Sequence, residues 1–251
     1  MNNKQRFHLW LILSAIGLLA VFSLFFSEIP LDNLPPEVLK RIPPETLKWI
    51  IMANPAVLIL TMTGIGVSCF DRVNLRVPII ERLIDRSRVL KYPVSKLMWQ
   101  GVTGGVVAGL LILIVQQIFN PYLPVDFVEA TKGPELNIIT KIFYGGVAEE
   151  LMVRFGIMSG ILFVLFRLTG KLTNGIYYLA ILVSSILFAL GHFPVMFQFV
   201  EQPGLALYLY VLIGNSIGGI LFGYLYWKRG LESAMVAHAF THLTMTTIAL
   251  L

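Results

Sequence analysis

The stretch from Ala148 to Arg154, Ala-Glu-Glu-Leu-Met-Val-Arg, places two glutamates and an arginine inside an apolar part of the chain. A carboxylate within a membrane costs at least ~2.5 kcal/mol, so such a group usually belongs to a functional site or to a buried ion pair. On a helix of ~3.6 residues per turn, Glu150 and Arg154 share a face, whereas Glu149 points about 100° away. The spacing predicts that Glu150 is paired and Glu149 is free for chemistry. The alternative is a salt bridge between helices that serves only the structure.

Three of the four histidines lie further along the chain, again in apolar stretches. His192 follows Phe188-Ala-Leu-Gly, and a single membrane histidine is often only a hydrogen-bonded packing residue. His238 and His242 are four residues apart, so on a helix both imidazoles lie on one face and can approach the same metal ion or substrate oxygen. Together with the glutamates upstream, this pair indicates a reactive site.

The composition of the chain indicates that these glutamates and histidines lie within a membrane. Apolar residues make up 57% of the 251 and charged residues 13%, with a mean hydropathy of +0.79, whereas ordinary soluble domains carry ~25% charged residues. The chain is therefore predicted to be a multi-pass integral membrane protein, in the plasma membrane if the cell is bacterial. The net charge of +5 falls mainly between the apolar runs, which fits the positive-inside rule and gives no reason to expect nucleic acid as a partner. Cys69 is the only cysteine, so a cysteine-rich zinc site is excluded.

Apolar runs of spanning length recur along the whole chain, with no polar block long enough to fold separately. The predicted fold class is an all-α polytopic transmembrane helical bundle of about seven membrane helices. The predicted spans are residues 9–26, 50–70, 99–119, 138–168, 176–193, 205–227 and 231–251. We expect a single membrane domain, 1–251, in which 1–135 supply N-terminal helices and amphipathic connectors and 136–251 form a catalytic helical core.

The connectors between the predicted spans indicate orientation and surface helices. Seven bases against three acids between Asp71 and Gln100 mark the cytoplasmic side, so the N-terminus is expected inside and the C-terminus outside. The proline-rich connector after the first span is predicted to contain two short helical turns, at Pro36–Lys40 and Pro44–Lys48. Pro78–Leu90 is predicted to be an amphipathic helix on the membrane surface.

The lengths of the predicted spans show that not all of them can be straight helices that cross the membrane at a right angle. The segment 138–168 would be ~46 Å long as an α-helix, against ~30 Å of hydrocarbon, so it must tilt, break or protrude. His238 lies ~12 Å along its helix from Gly230, whereas His192 lies ~24 Å from Ile176. These two helices cannot both be straight and begin at the same level, so we expect one of them to break or to start deeper.

In their order along the chain, these residues resemble the CPBP (Abi) family of intramembrane proteases, to which the type II CAAX prenyl endopeptidases belong. The similarity covers about Lys141 to Thr246. It rests on Glu149-Glu150-x-x-x-Arg154, then Phe188-x-x-x-His192, then His238 with a polar residue four places later. Each motif is short, but the ordered set in successive membrane helices is fairly specific.

The resemblance implies peptide hydrolysis with Glu149, His192 and His238 as the catalytic core. Peptide hydrolysis needs an activated water, stabilisation of the oxyanion and a proton for the leaving amine. We expect Glu149 to act as general base and His192 to help hold the water. His238 with His242 would either ligate zinc or donate hydrogen bonds to the oxyanion. His242 departs from the family, which usually has Asn or Asp at this position.

The residue types and their spacing assign supporting roles, and the resemblance raises the question of a metal. Glu150, paired with Arg154, is expected to lock the helix and to keep positive charge near the base, and Phe188 belongs to the motif that ends in His192. The family is described both as metalloproteases and as metal-independent glutamate proteases. No His-Glu-x-x-His pattern is present, yet one glutamate and three histidines are enough for a zinc shell. The candidate zinc ligands are Glu149, His192, His238 and His242.

Two other classes of protein remain open. A proton-coupled transporter would use the same residues to relay protons, but that class is expected to show duplicated halves, and we find no convincing internal repeat. A catalytically idle immunity or scaffold protein would keep the fold, though it would have little reason to carry all the motifs. For a protease, the implied partners are the lipid bilayer and a membrane-anchored peptide or protein. Its substrate would be a prenylated CAAX tail, a bacteriocin leader, a pheromone precursor or a similar peptide.

Overall fold

The computed structural model describes residues 1–27, 41–132 and 137–250. In these ranges the chain forms helices and turns and no strand. The helices are α1 (Asn3–Phe22), α2 (Pro44–Cys69), α3 (Pro78–Ile84), α4 (Val94–Phe119), α5 (Val125–Lys132), α6 (Ile138–Thr169), α7 (Asn174–Leu190), α8 (Phe193–Met196), α9 (Leu205–Arg229) and α10 (Leu231–Ala249). Short 3₁₀ turns at Ser23–Phe26, Phe70–Val73 and Asn120–Tyr122 extend α1, α2 and α4.

Six helices in the described part of the chain are long and apolar enough to cross a membrane. They are Asn3–Phe26, Glu45–Val73, Val94–Tyr122, Ile138–Thr169, Asn174–Met196 and Leu205–Arg229. These correspond to the first six predicted spans. The all-α polytopic bundle is therefore confirmed, while the seventh crossing, by α10, stays a prediction.

The outer surface of the bundle is apolar, as a lipid-facing surface must be. Large side chains such as Leu19, Leu168 and Leu205 are more than two-thirds exposed, which an isolated soluble protein would avoid over so large an area. Trp49 and Trp99 are exposed near the ends of α2 and α4, where tryptophan typically sits at the membrane–water interface. The protein is a multi-pass integral membrane protein.

Helix α10 is held inside the bundle by a row of glycines on α4. Gly101, Gly105 and Gly109 all face α10, and a Cβ atom on Gly105 would lie 2.2 Å from the carbonyl oxygen of Ala237. The hydroxyl of Thr241 donates to the carbonyl oxygen of Gly105 at 3.2 Å. Small residues allow two membrane helices to approach this closely, so the glycine row of α4 fixes the position of the helix that carries His238 and His242.

Helix α6 changes its winding along its length. It starts as an α-helix over Ile138–Thr140, continues as a π-helix over Lys141–Glu149 and Leu151–Met158, and ends as an α-helix over Ser159–Thr169. The i→i+5 hydrogen bonds of a π-helix put more residues in each turn and so shorten the segment. We expected this long segment to tilt, break or protrude, and its π-helical winding is a further way of fitting it into the membrane.

The expected break between the two histidine helices lies just before His192. Helix α7 ends at Leu190, and α8 begins at Phe193 after a turn. Pro194 occupies the first turn of α8, where it has no N–H to continue the preceding helix. His192 therefore lies in a turn at the end of α7 rather than within a continuous helix.

Two connector predictions need correction. Pro44–Lys48 is not a separate helical turn, because it is the first turn of α2; Pro36–Lys40 lies outside the described residues. The predicted surface helix Pro78–Leu90 ends at Ile84. The physical reason is the side chain of Asp85, which accepts hydrogen bonds from the backbone and the hydroxyl of Ser87 at 3.1 and 2.6 Å and so favours a turn.

Candidate active site

The residues that could do chemistry meet where α6, α7, α9 and α10 pack together. Helix α6 supplies Glu149, Glu150 and Arg154, and α10 supplies His238 and His242. The structure thus joins two motifs that are almost ninety residues apart in the chain.

Glu150 is the buried centre of the site. Its side chain is fully buried, and its Oε1 atom lies 3.1 Å from Nη1 of Arg154 and 2.9 Å from Nδ1 of His238. An ionised carboxylate only accepts hydrogen bonds, so Nδ1 of His238 carries the hydrogen. Nε2 on the other side of the ring is then left with a lone pair. Glu150 therefore both compensates the arginine and sets the tautomer of the histidine.

Glu149 is the more accessible of the two glutamates. Its side chain is 19% exposed, and its Oε2 atom lies 3.8 Å from Nε2 of His238. This distance is too long for a direct hydrogen bond, but it leaves room for one water molecule that bonds to both atoms. Two acceptors 3.8 Å apart can share one water that lies to the side of the line joining them and donates one hydrogen to each.

Arg154 is completely enclosed, with 1% of its side chain exposed. Its guanidinium carbon lies 4.5 Å from the ring centre of Phe188 and 5.3 Å from that of Phe222. Aromatic faces attract cations, and the effect is larger away from water. The charge of Arg154 is thus stabilised by two rings and by Glu150, which keeps a positive charge one helical turn from the glutamate pair.

His238 lies in a stack of three rings. The ring centre of Phe222 lies 4.6 Å from that of His238, with an angle of 24° between the ring planes. The ring centre of His242 lies 5.0 Å from that of His238, with an angle of 21° between the planes. On the side of α6, a Cβ atom on Gly145 would lie only 2.6 Å from Nε2 of His242. The absence of a side chain at Gly145 therefore makes the room in which His242 lies.

His192 approaches from the turn after α7. Its Nδ1 atom lies 2.9 Å from the carbonyl oxygen of Phe188, and the two rings meet edge to face at 4.7 Å. Because a carbonyl oxygen only accepts, Nδ1 is the donor and Nε2 is left as an acceptor. The ring of Phe188 also meets that of His238 edge to face, at 5.9 Å, so both histidines contact the same phenylalanine.

The four candidate zinc ligands do not form a zinc shell as they are arranged. Among the described residues, no group of three or more His, Cys, Asp or Glu side chains is placed to hold a metal ion. The rings of His238 and His242 are stacked nearly parallel, whereas two imidazoles that share a zinc ion at ~2.0–2.1 Å must point their nitrogens at one point. Zinc ligation by these four residues stays a prediction, and the reaction proposed below does not require it.

Two residues of the site were missed in the sequence. Phe222 was not singled out because nothing in the pattern distinguishes it from the other phenylalanines of the chain. Gly145 had a usable signal, since it forms a pair with Gly146 directly ahead of the glutamates. A Cβ atom on Gly146 would lie 2.9 Å from the side chain of Ala239 on α10, and adjacent small residues in a membrane helix indicate such close approach.

Comparison with protein families gives one match that covers this whole constellation. Residues 132–244 match the model of the family described as type II CAAX prenyl endopeptidase Rce1-like. This part of the chain is similar to the Rce1-like family. The match confirms the resemblance to CAAX proteases and, at the level of the family, indicates a membrane protease. Neither the curated proteins nor the solved structures gave a match. The catalytic roles of the individual residues of this Rce1-like region stay predictions.

Proposed function

We propose that the protein is a membrane-embedded endopeptidase in which Glu149 activates a water molecule for attack on a peptide bond. The observation that carries this proposal is the 3.8 Å gap between Oε2 of Glu149 and Nε2 of His238, with His238 held from behind by Glu150 at 2.9 Å. A carboxylate that is partly accessible and an oriented imidazole acceptor together provide the two contacts that position a water for deprotonation.

The proposed steps follow from which atoms accept and which donate. Glu149 takes a proton from the water as the oxygen attacks the carbonyl carbon, and it later delivers that proton to the leaving amine. Nε2 of His238 accepts the water's other hydrogen and so aims its oxygen. His242, stacked on His238, donates to the oxygen that becomes negative. His192 offers Nε2 as an acceptor, which suits the water or the amine rather than an oxyanion.

Glu150 and Arg154 act through their neighbours. Glu150 fixes the tautomer and the direction of the His238 ring, as the carboxylate partners of functional histidines commonly do. Arg154 compensates the negative charge of Glu150 and interacts electrostatically with Glu149 as well. Arg154 thus keeps a positive charge one helical turn from the proposed base.

We propose a substrate that is anchored in the bilayer, with a prenylated CAAX-type tail as the first candidate. The support is the family match over residues 132–244 and the placement of the site among helices that span the membrane. A leader peptide or another membrane-anchored peptide would meet the same requirement. The binding of a lipid-modified chain would also suit the apolar helix surfaces that surround the site.

Purified protein in nanodiscs and a synthetic prenylated CAAX peptide test the proposal. Glu149→Gln should lower kcat by ~10²–10⁴-fold while the unfolding temperature is retained, because the amide keeps the shape but cannot take a proton. Glu201→Gln is the matched control, since it makes the same chemical change at an exposed position outside the site, and it should cleave at the wild-type rate. Cleavage by Glu149→Gln at the wild-type rate would contradict the assignment of the base.

The same two variants separate the protease from the transporter. Comparison of membrane peptides from cells that express wild type or Glu149→Gln should reveal peptides that only the wild type shortens, and these identify the substrate. Proton flux into liposomes that depends on Glu149, without any shortened peptide, would instead favour a proton-coupled transporter.

A further inference from the structure

A cavity lies at the end of the bundle where α2 and α9 end and α4 and α10 begin. It has a volume of about 290 Å³, and its walls come from residues 74, 76, 78, 81, 88–92, 97 and 227–230. Pockets that hold small ligands start at ~300 Å³, so this cavity suits one compact chemical group. The basic connector predicts that this end of the bundle is cytoplasmic.

The walls of this cavity are strongly cationic. They contain one carboxylate, Glu81, and the five cationic side chains Arg76, Arg88, Lys91, Lys228 and Arg229. Glu81 is 2% exposed and already engaged: Oε1 accepts from the backbone N–H of Val77 at 2.7 Å, and Oε2 pairs with Arg88 and, at 3.5 Å, with Arg76. Lys91, Lys228 and Arg229 have no ion pair with a carboxylate among the described residues. An anion bound in the cavity would therefore not compete with a carboxylate for these three side chains.

Aromatic rings hold these cations in place without neutralising them. The guanidinium of Arg229 lies 4.7 Å from the ring centre of Tyr92, and its Nε donates to Oε1 of Gln100. The ammonium of Lys228 lies 3.1 Å from the ring centre of Trp227. Cation–π contacts orient a charge and leave its remaining N–H groups free to donate. The cavity therefore presents oriented donors rather than a random set of surface lysines.

The floor of the cavity is rigid. Gly230, between α9 and α10, has a φ angle of 115° and a Cβ atom there would lie 2.3 Å from Cδ of Pro78, so only glycine fits this junction. The N–H of Leu231 donates to the carbonyl oxygen of Arg76 at 3.1 Å. These contacts tie the basic connector to the first residue of α10 and keep the cationic walls at a fixed separation.

We propose that this cavity binds the phosphate group of an anionic phospholipid from the adjacent leaflet. Arginine and lysine side chains are common binders of phosphate, and basic pockets between membrane helices on the cytoplasmic side bind anionic head groups. Interfacial Trp227 and Tyr92 would flank the glycerol region. The bound lipid would set the depth of Leu231, and His238 lies ~10 Å further along the same helix at 1.5 Å per residue.

Thermal unfolding of the full chain in nanodiscs tests this site. Phosphatidylglycerol added to phosphatidylcholine discs should raise the Tm of the wild type, and a higher mole fraction should raise it further, because a ligand of the native state stabilises it. The pair Lys91→Gln and Lys228→Gln should lose most of this rise, and Lys228→Arg should retain it. Both lysines lack carboxylate partners among the described residues, so the double variant should fold in phosphatidylcholine alone.

The matched control is the pair Arg82→Gln and Arg86→Gln, which removes the same charge from exposed positions in the same connector outside the cavity. This control variant should show the full rise in Tm with phosphatidylglycerol. If both double variants lost the rise equally, the lipid would be attracted by the general surface charge of the connector, and the proposed site would be wrong. Inorganic phosphate added to phosphatidylcholine discs distinguishes the source of the anion. If it reproduces the rise, the phosphate chemistry stands but the lipid assignment is wrong.

Discussion

Nδ1 of His238 lies 2.9 Å from Oε1 of Glu150, across 88 residues of sequence. The same oxygen atom lies 3.1 Å from Arg154, so one carboxylate links the two halves of the site and compensates the buried cation. The second glutamate therefore does more than the pairing expected from its i, i+4 spacing. It connects the packing of α6 on α10 to the orientation of the imidazole that faces Glu149.

This double role predicts a large loss of stability in Glu150→Gln. The change leaves Arg154 buried without a counter-charge, and removal of one partner of a buried ion pair costs ~3–5 kcal/mol. The double variant Glu150→Gln with Arg154→Met should recover most of that loss, because a neutral pair replaces the ionic one. Chemical unfolding in a mild detergent measures both values.

Glu149→Gln is the internal comparison for that series. The carboxylate of Glu149 is partly exposed and forms no ion pair with Arg154 among the described residues. The free energy of unfolding of Glu149→Gln should therefore differ from that of the wild type by less than ~1 kcal/mol. A double variant that is no more stable than Glu150→Gln alone would show that the unpaired charge of Arg154 is not the cause of the loss.

Much of the fold could be predicted because the bilayer requires long apolar helices and makes ionisable residues inside them rare. Apolar runs of about twenty residues identify the spans, and ionisable residues inside them identify the site. The contact between Glu150 and His238 could not be predicted, since it depends on how α6 packs on α10. The π-helical winding of Lys141–Glu149 was also hidden, because a pattern of residue types does not distinguish i→i+4 from i→i+5 bonding.

Gly145 offers a way to displace His242 without touching any ionisable group. In Gly145→Ala, the new Cβ atom would lie 2.6 Å from Nε2 of His242, and the imidazole, as the end of a side chain, can rotate away. We expect the protein to stay folded and kcat to fall by ~10–10²-fold, as small displacements of reacting groups typically cause. Peptide cleavage by the purified variant measures the effect.

Gly214→Ala serves as the matched control for this substitution. Gly214 lies on α9, and a Cβ atom there meets nothing within 4 Å. Because alanine favours a helix over glycine by up to ~1 kcal/mol, this variant should be at least as stable as the wild type and fully active. Full activity of Gly145→Ala would show that the reaction does not depend on where His242 lies.

His242 also tests the metal question directly, because it replaces the amide or carboxylate usual in the family. If His242 donates a hydrogen bond to the oxyanion, His242→Asn should keep much of the activity, since an amide also donates. His242→Ala should then lose ~10²–10³-fold in kcat, and chelators should have no effect. We expect this outcome, given the parallel stacking of His242 on His238.

Zinc ligation by His242 makes the opposite prediction for the same two variants. His242→Asn should then weaken the affinity for metal, and His242→Ala should nearly abolish it. Metal content and kcat of both variants, measured side by side with and without chelator, separate the two cases. Full activity of metal-free His242→Ala would remove this residue from the site.

Helix α10 provides the last prediction, which is that it crosses the membrane although it is less apolar than the six spans. It packs against α4, α9 and α6, and Ser233, His238 and Thr241 are buried in these contacts. A helix that is surrounded by other helices needs little lipid-facing apolar surface. Seven crossings would place the two ends of the chain on opposite sides, with the N-terminus inside.

Single cysteines introduced into a Cys69→Ser background can locate these ends. We expect Ala249→Cys to react with a membrane-impermeant maleimide from outside intact cells. Lys4→Cys should react only after the cells are opened, and Ser87→Cys, in the basic connector, is the control for the cytoplasmic side. Labelling of positions 4 and 249 from the same side would show that α10 does not cross. The site would then be reached by a helix that enters and leaves the bundle at one face.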